Sequence, residues 1–334
     1  MTKPRRNSYF VILLTLVLAG WFGLGTPLVA AFFASFVLHR LTFLRRKSLT
    51  VLVFLVLVSI ICSGLVYFLD QAVKTLPRVA TTAIPSIIQY GQEHGLDLPF
   101  TDWGSLKTFA LENIKGQLHY IGNFAKIATK QSVFLLIGIV VAISIFLNPA
   151  TDLNPDGYAI RNNLYSVYAA EIAARFRSLY HAFDDVMGAQ LIISTFNTGL
   201  TSVFLMWVGL PYTPLMLFIT FICGLVPIVG NLISNSIIVA FAFTISPNLA
   251  ISALVFLVLL HKLEYFLNSK IIGERIKNPV WLTLIGLILG ERLMGITGMI
   301  LAPVILNYIK IEAGRIKVQE ADKEPGAGPA QDGA

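Results

Sequence analysis

The chain has 334 residues, of which 56% are hydrophobic and 13% charged, with a net charge of +7. Soluble domains carry about 25% charge, so this composition excludes an ordinary soluble domain; the mean hydropathy of +0.75 points the same way. The positive balance resembles a nucleic-acid signal, but the basic residues flank apolar runs, where they set orientation in a bilayer, so no nucleic-acid partner is expected.

Apolar runs long enough to cross a membrane recur along the chain. They predict an all-α polytopic integral membrane protein with about eight membrane segments, some of them broken or re-entrant helical hairpins. The lipid bilayer is its first partner. Met1 to Arg6 and the apolar run after them read as a retained first span, because the run outlasts a secretory signal.

Residues 9 to 38 carry no Asp, Glu, Lys or Arg and are divided by GWFGLGTP, Gly20 to Pro27. Both flanks are basic: Lys3, Arg5 and Arg6 on one side, Arg40, Arg45, Arg46 and Lys47 on the other. Basic flanks favour the cytoplasm, so the chain is expected to enter the membrane and return, and 1–69 reads as a hairpin followed by a span at 49–69. Residues 70–130 are polar, divided by Pro77, Pro85 and Pro99, and read as an extracytoplasmic helical region. Residues 131–158 supply a returning span and a cytoplasmic loop, NPATDLNPDGY.

The pattern over 159–185 predicts an amphipathic helix on the cytoplasmic surface, with Arg175 and Asp184 among apolar and tyrosine positions. Residues 186–312 form the expected transport core. It opens with a crossing helix carrying Gln190, Ser194, Thr195, Asn197 and Thr198 at roughly helical spacing. Such a stripe serves helix–helix hydrogen bonding or faces a pathway. GLPYTP turns the chain outside. Residues 215–243 are then interrupted by VPIVGN, where Gly224, Pro227 and Gly230 break the helix and Asn231, Ser234 and Asn235 stand ready to meet freed backbone groups. Residues 249–263 cross inward to a net basic segment, 261–278.

Residues 279–310 repeat the pattern. GERLMGITG places Gly290, Gly295 and Gly298 and the pair Glu291–Arg292 in the middle of an apolar run, with Pro303 beyond. A charge at bilayer depth costs roughly 2.5 to 3.5 kcal/mol on insertion scales, so two half-length helices meeting at a turn are expected here. With both termini cytoplasmic, the first hairpin dips from outside and the second from inside, the pattern of an inverted-topology transporter. Residues 313–334, rich in Gly, Pro, Ala, Asp and Glu, read as a disordered cytoplasmic tail.

Cys62 and Cys223 both lie in apolar runs, and no histidines stand at ligand spacing, so neither a disulfide framework nor a metal centre is expected. There is no Walker sequence, nucleophile elbow or dinucleotide fingerprint. No cofactor and no enzymatic activity are expected.

Taken together, Gly188-x-Gln190, GLP at Gly209, VPIVGN at Val226, LEYFLNSKIIGERIKNP at Leu263 and LGERLMGITGMILAPVI at Leu289 resemble, in order and spacing, the autoinducer-2 exporter family of bacterial permease-like proteins. The resemblance is strongest from about residue 186 to 312. It implies a multi-pass bacterial inner-membrane protein exporting a small signalling solute, or a sodium/proton antiporter.

Intramembrane ionisable groups are functional candidates by default. Glu291 and Arg292 are therefore the sharpest transport candidates, with Asn231, Asn235, Asn197 and Gln190 beside them; Glu264 is a weaker one, or an interfacial residue. Gly224, Pro227, Gly230, Gly290, Gly295, Gly298 and Pro303 are the expected breaks and gating positions. The leading expectation is secondary transport of a small polar solute by alternating access, with sodium/proton antiport or a non-transporting scaffold as alternatives. Small-residue surfaces suit a homo-oligomer.

Overall fold

The computed structural model describes residues 3–95, 118–150, 163–227, 229–271 and 279–316, with Gly104 and Ile160. Most of the polar region 96–117, much of the loop 148–158, most of 261–278 beyond Ile271, and the tail 319–334 lie outside the described residues.

Ten α-helices are described: α1 Lys3–Trp21, α2 Gly25–Arg40, α3 Lys47–Glu93, α4 Leu118–Leu147, α5 Leu164–Val208, α6 Thr213–Gly224, α7 Val229–Phe243, α8 Pro247–Ile271, α9 Val280–Met294 and α10 Ile296–Gly314. A 3₁₀ turn, Leu41–Leu44, follows α2. The described residues contain no strand, and six helices are long and apolar enough to cross a membrane. The all-α membrane architecture expected from composition is the one observed.

Each interrupted run breaks where glycine, with proline in the first two, makes helix continuation costly. Between α1 and α2 the chain turns at Gly23, φ +65°. Between α6 and α7 it turns over VPIVGN. Between α9 and α10 a single residue, Gly295 at φ +61°, reverses the path. Only glycine adopts such a φ without strain. The pieces are short: α6 has 12 residues and α7 has 15, roughly 18 and 22 Å at 1.5 Å per residue, less than the roughly 30 Å hydrocarbon core.

Two expected boundaries run through continuous helices. The span 49–69 continues into α3, 47 residues long, which carries Pro77 and Pro85 inside it. The amphipathic segment and the crossing helix merge into α5, 45 residues. No breaker stands between them except Gly188, which helices tolerate at about 1 kcal/mol. Asn163 caps α5 through its side-chain oxygen, which accepts from Ser166 N at 2.9 Å, and Gly209 ends it at φ +72°.

α5 is the spine of the molecule. Its first half packs Leu179, Phe183 and Met187 against Ile12 of α1, Phe32 and Phe36 of α2, and Leu301 and Val304 of α10. Its second half packs Phe204 and Leu205 against α6–α8, through Met216, Ile238, Phe241, Ala253 and Leu257. A third cluster joins α2, α3 and α4 through Leu38, Phe54 and Ala142. The two hairpins thus belong to different clusters on one long helix.

Small residues set the closest approaches. A β-carbon on Gly138 of α4 would stand 2.6 Å from Ala30 Cβ of α2. Within the second hairpin, a β-carbon on Gly290 would run into the Gly298 carbonyl, and one on Gly298 into the Gly290 carbonyl. The α1–α2 turn rests on the α9–α10 turn: a β-carbon on Gly25 would lie 3.2 Å from Met294 Cβ, and one on Gly20 3.4 Å from Met294 Cε. Gly290→Val is expected to wedge α9 from α10 at a cost of about 1 to 3 kcal/mol, read as a lower unfolding midpoint in detergent. Gly314→Ala, which meets nothing within 4 Å, should leave that midpoint in place.

Candidate functional site

The α6–α7 break sits against the second half of α5, and α5 supplies the partners for its freed carbonyls. Gln190 Nε2 donates to Gly224 O at 2.5 Å, and Ser194 Oγ donates to Phe221 O at 2.8 Å. These bonds satisfy the last turn of α6, whose carbonyls have no partners inside the helix. Gly224 is required there because a β-carbon would press on Ser194 Oγ. Pro227 lies in the turn, and Gly230 sits so close to the Cys223 carbonyl that a β-carbon would overlap it.

One position further along the same face of α5, Asn197 leaves the hairpin and reaches α8. Its Nδ2 donates to Glu264 Oε2 at 3.1 Å. From the other side Asn231 Nδ2, in the first turn of α7, donates to the same oxygen at 2.7 Å. His261 Nδ1, one turn before Glu264 on α8, lies 3.5 Å from that oxygen. Glu264 is 9% exposed and Asn197 6%. Three helices therefore converge on one buried carboxylate.

These groups line a cavity of about 10 Å³, bounded by Asn197, Thr220, Asn231, Ser234, Asn235, His261 and Glu264, with Leu257 and Leu260 as its apolar wall. That volume holds about one water-sized particle. The oxygens bring spare capacity. Thr220 Oγ1 donates to Met216 O and Ser234 Oγ to Asn231 O, which leaves both hydroxyl oxygens free to accept. Asn197 Oδ1 is buried with no hydrogen-bond partner, and on the same helix Thr198 Oγ1 and Thr201 Oγ1 share that condition. Buried polar atoms without partners are few in folded proteins and call for an occupant or a role. Oxygen donors around one carboxylate suit a proton, a hard cation or a small polar solute. Among the described residues no cluster of His, Cys, Asp and Glu suits a transition metal.

The structure thus brings together Asn197, Asn231 and Asn235 around Glu264, while Gln190 bonds the Gly224 carbonyl at the neighbouring end of α6. Glu291 and Arg292 stand elsewhere, in the last turn of α9. Their side chains are 54% and 84% exposed, and Arg292 Nε lies 3.9 Å from Glu291 Oε2. Pro303 lies inside α10, about one and a half turns past Gly298. By sequence Glu264 ranks below Glu291, because it stands near the end of an apolar run. The signal that favoured it was present: a lone carboxylate in α8, with a polar stripe on α5 and two asparagines after a helix break to receive it.

Comparison with known proteins agrees with the architecture. The family model described as "AI-2E family transporter" matches residues 8–315. The chain is 23% identical over 325 residues to the "Putative transport protein YdbI" of Bacillus subtilis (strain 168), covering 91% of this chain and 90% of that one. It is 22% identical over 303 residues to the "Putative transport protein YueF" of the same organism, covering 85% and 82%. With its helix breaks, its buried polar centre and a family match running almost from end to end, this chain belongs to the AI-2E family of transporters.

Proposed function

We propose that the protein is a secondary transporter of a small polar solute, working by alternating access in a bacterial inner membrane with both termini in the cytoplasm. The observation that carries this reading is the buried Glu264 carboxylate, held by Asn197 and Asn231 at the α6–α7 break. Asn197 lies 11 residues before the end of α5, roughly 16 Å along the axis, about half the depth of the hydrocarbon core. A polar group at that depth marks a pathway rather than a surface. In this reading the α6–α7 hairpin is the moving gate. Among the described residues two side-chain bonds, from Gln190 and Ser194, close its turn onto α5. The α9–α10 hairpin is its inverted counterpart, with Glu291 and Arg292 as the charged tip that the solute or a neighbouring copy meets. The lipid-facing helices, α3 above all, leave room for a homo-oligomer.

The test is a flux screen of small polar solutes in proteoliposomes, with and without a sodium or proton gradient. Glu264→Gln is expected to lower the flux of the active solute at least about tenfold, the scale of one charge-assisted hydrogen bond, with normal insertion. Wild-type flux in that variant would remove the assignment of the site.

One observation favours a second reading, sodium/proton antiport. A cavity of about 10 Å³ fits a single ion better than an organic molecule, and its donors are oxygens around one carboxylate. Antiport predicts that sodium added outside vesicles collapses a preset pH gradient through the wild-type protein and not through Glu264→Gln; a neutral-solute exporter shows no sodium response.

A further inference from the structure

A second buried polar cluster lies away from Glu264, where α1, α5 and α10 meet near the two ends of the described chain. Glu312 of α10 is 3% exposed and Arg175 of α5 is 8% exposed. Arg175 Nη1 donates to Glu312 Oε2 and, at 2.9 Å, to Tyr9 Oη of α1. Tyr9 Oη in turn donates to Glu312 Oε2 at 2.7 Å, and the Arg175 guanidinium stacks 4.9 Å from the Tyr9 ring centroid.

Each partner of the cross-helix pair also has an opposite charge nearby in its own segment, on the helix for Arg175 and just past its end for Glu312. Glu171, one turn before Arg175, has Oε2 3.8 Å from Arg175 Nη2. Arg315, three residues after Glu312, donates to Glu312 Oε1 at 3.0 Å and to Ser178 Oγ at 3.0 Å. Breaking a buried ion pair is costly because it strands a charge. Here separation of α5 from α10 strands none: Arg175 falls to Glu171 and Glu312 to Arg315. The closed state is also incompletely satisfied, since Arg175 Nε, Glu171 Oε2 and Tyr308 Oη are buried without a hydrogen-bond partner. A half-satisfied buried network holds helices together less well than an apolar contact would, which favours a role beyond cohesion.

We infer that Tyr9, Arg175 and Glu312 form a releasable latch that holds α10, the return arm of the second hairpin, against α5, and that Glu171 and Arg315 are the charges that receive the partners on release. α1 is tied to this hairpin at both ends, by Tyr9 at the latch and by Gly20 at the Met294 turn. Release therefore loosens the polar end of the contact that α1 and α10 make with α5, while Ile12, Leu301 and Val304 keep their apolar packing on the spine. The latch does not depend on what occupies the Glu264 cavity.

The swap of charges gives a sign that plain cohesion does not. Arg175→Glu with Glu312→Arg restores the cross-helix pair but sets like charges against Glu171 and Arg315, so both fallback pairs vanish and the latch is held shut. Spin labels at Leu164→Cys on α5 and Ile309→Cys on α10, both at exposed positions, report the distance in nanodiscs, in a background carrying Cys62→Ser and Cys223→Ser. Wild type is expected to show a main distance and a minor longer one. Glu312→Gln should enrich the longer population about tenfold, the worth of one charge-assisted bond. Tyr9→Phe, which keeps the ion pair and threatens folding less, should enrich it about threefold. The charge swap should abolish it. Distributions unchanged in folded Glu312→Gln or Tyr9→Phe protein, or a swap variant as open as Glu312→Gln, overturn the latch.

Discussion

Replacing Gly230 with leucine is expected to lower the yield of folded, monodisperse protein at least about tenfold, since overpacking a tight contact already costs 1 to 3 kcal/mol per small addition. The reason is local and severe. Gly230 N donates to Val226 O at 3.2 Å, which starts α7 immediately after the turn, and this brings its Cα onto the Cys223 carbonyl at the end of α6. A β-carbon there overlaps that carbonyl, and backbone atoms cannot swing aside as a flexible side chain does. Even Gly230→Ala should be strongly destabilising. The control is Gly199→Ala on α5, where nothing lies within 4 Å; it should be neutral or stabilising by up to about 1 kcal/mol through helix propensity. Size-exclusion profiles and thermal midpoints of the two alanine variants decide the matter, and equal behaviour would falsify the claim that this contact closes the break.

Glu264→Leu is expected to have the next largest effect, a loss of about 2 to 4 kcal/mol, because the buried Asn197 amide loses its acceptor at about 1 to 3 kcal/mol and the half-buried Asn231 amide loses a bond worth about 1 kcal/mol. Asn197 and Asn231 both donate to Glu264 Oε2, and no other acceptor is bonded to either amide among the described residues. Glu264→Gln keeps an oxygen in place and should stay within about 1 kcal/mol of wild type while losing transport. The contrast separates a packing role from a chemical one: a site that merely holds three helices together would lose activity only as far as it loses stability. Asn231→Ala combined with Glu264→Leu should cost less than the sum of the singles, because residues in one network are coupled by about 0.5 to 3 kcal/mol. Additive costs would show that the α7–α8 contact does not pass through this carboxylate.

The helix breaks were legible in residue order because their cause is local. GWFGLGTP and VPIVGN place glycine and proline inside apolar runs and GERLMGITG places glycine alone, and the chain turns within or beside each of them, at Gly23, around Pro227 and at Gly295. Membrane segments were legible for the same kind of reason: apolar length is counted along one stretch. The merging of 159–185 with 186–208 into α5 was less so, because a change from amphipathic to apolar composition looks like a boundary although nothing in the backbone interrupts it.

Which way a polar side chain faces was decided by tertiary structure. Glu264 turns inward to Asn197, 67 positions earlier, while Glu291 and Arg292 are exposed on the described chain. The turn that packs on Gly295's neighbourhood is the α1–α2 turn, through Gly20 and Gly25, and the VPIVGN turn sits with the other half of α5. In water, hydrophobic periodicity tells a buried face from an exposed one. In a bilayer both the lipid and the protein interior are apolar, so composition along the run marks where a helix lies and where it breaks, and only packing against distant helices determines which polar group is enclosed.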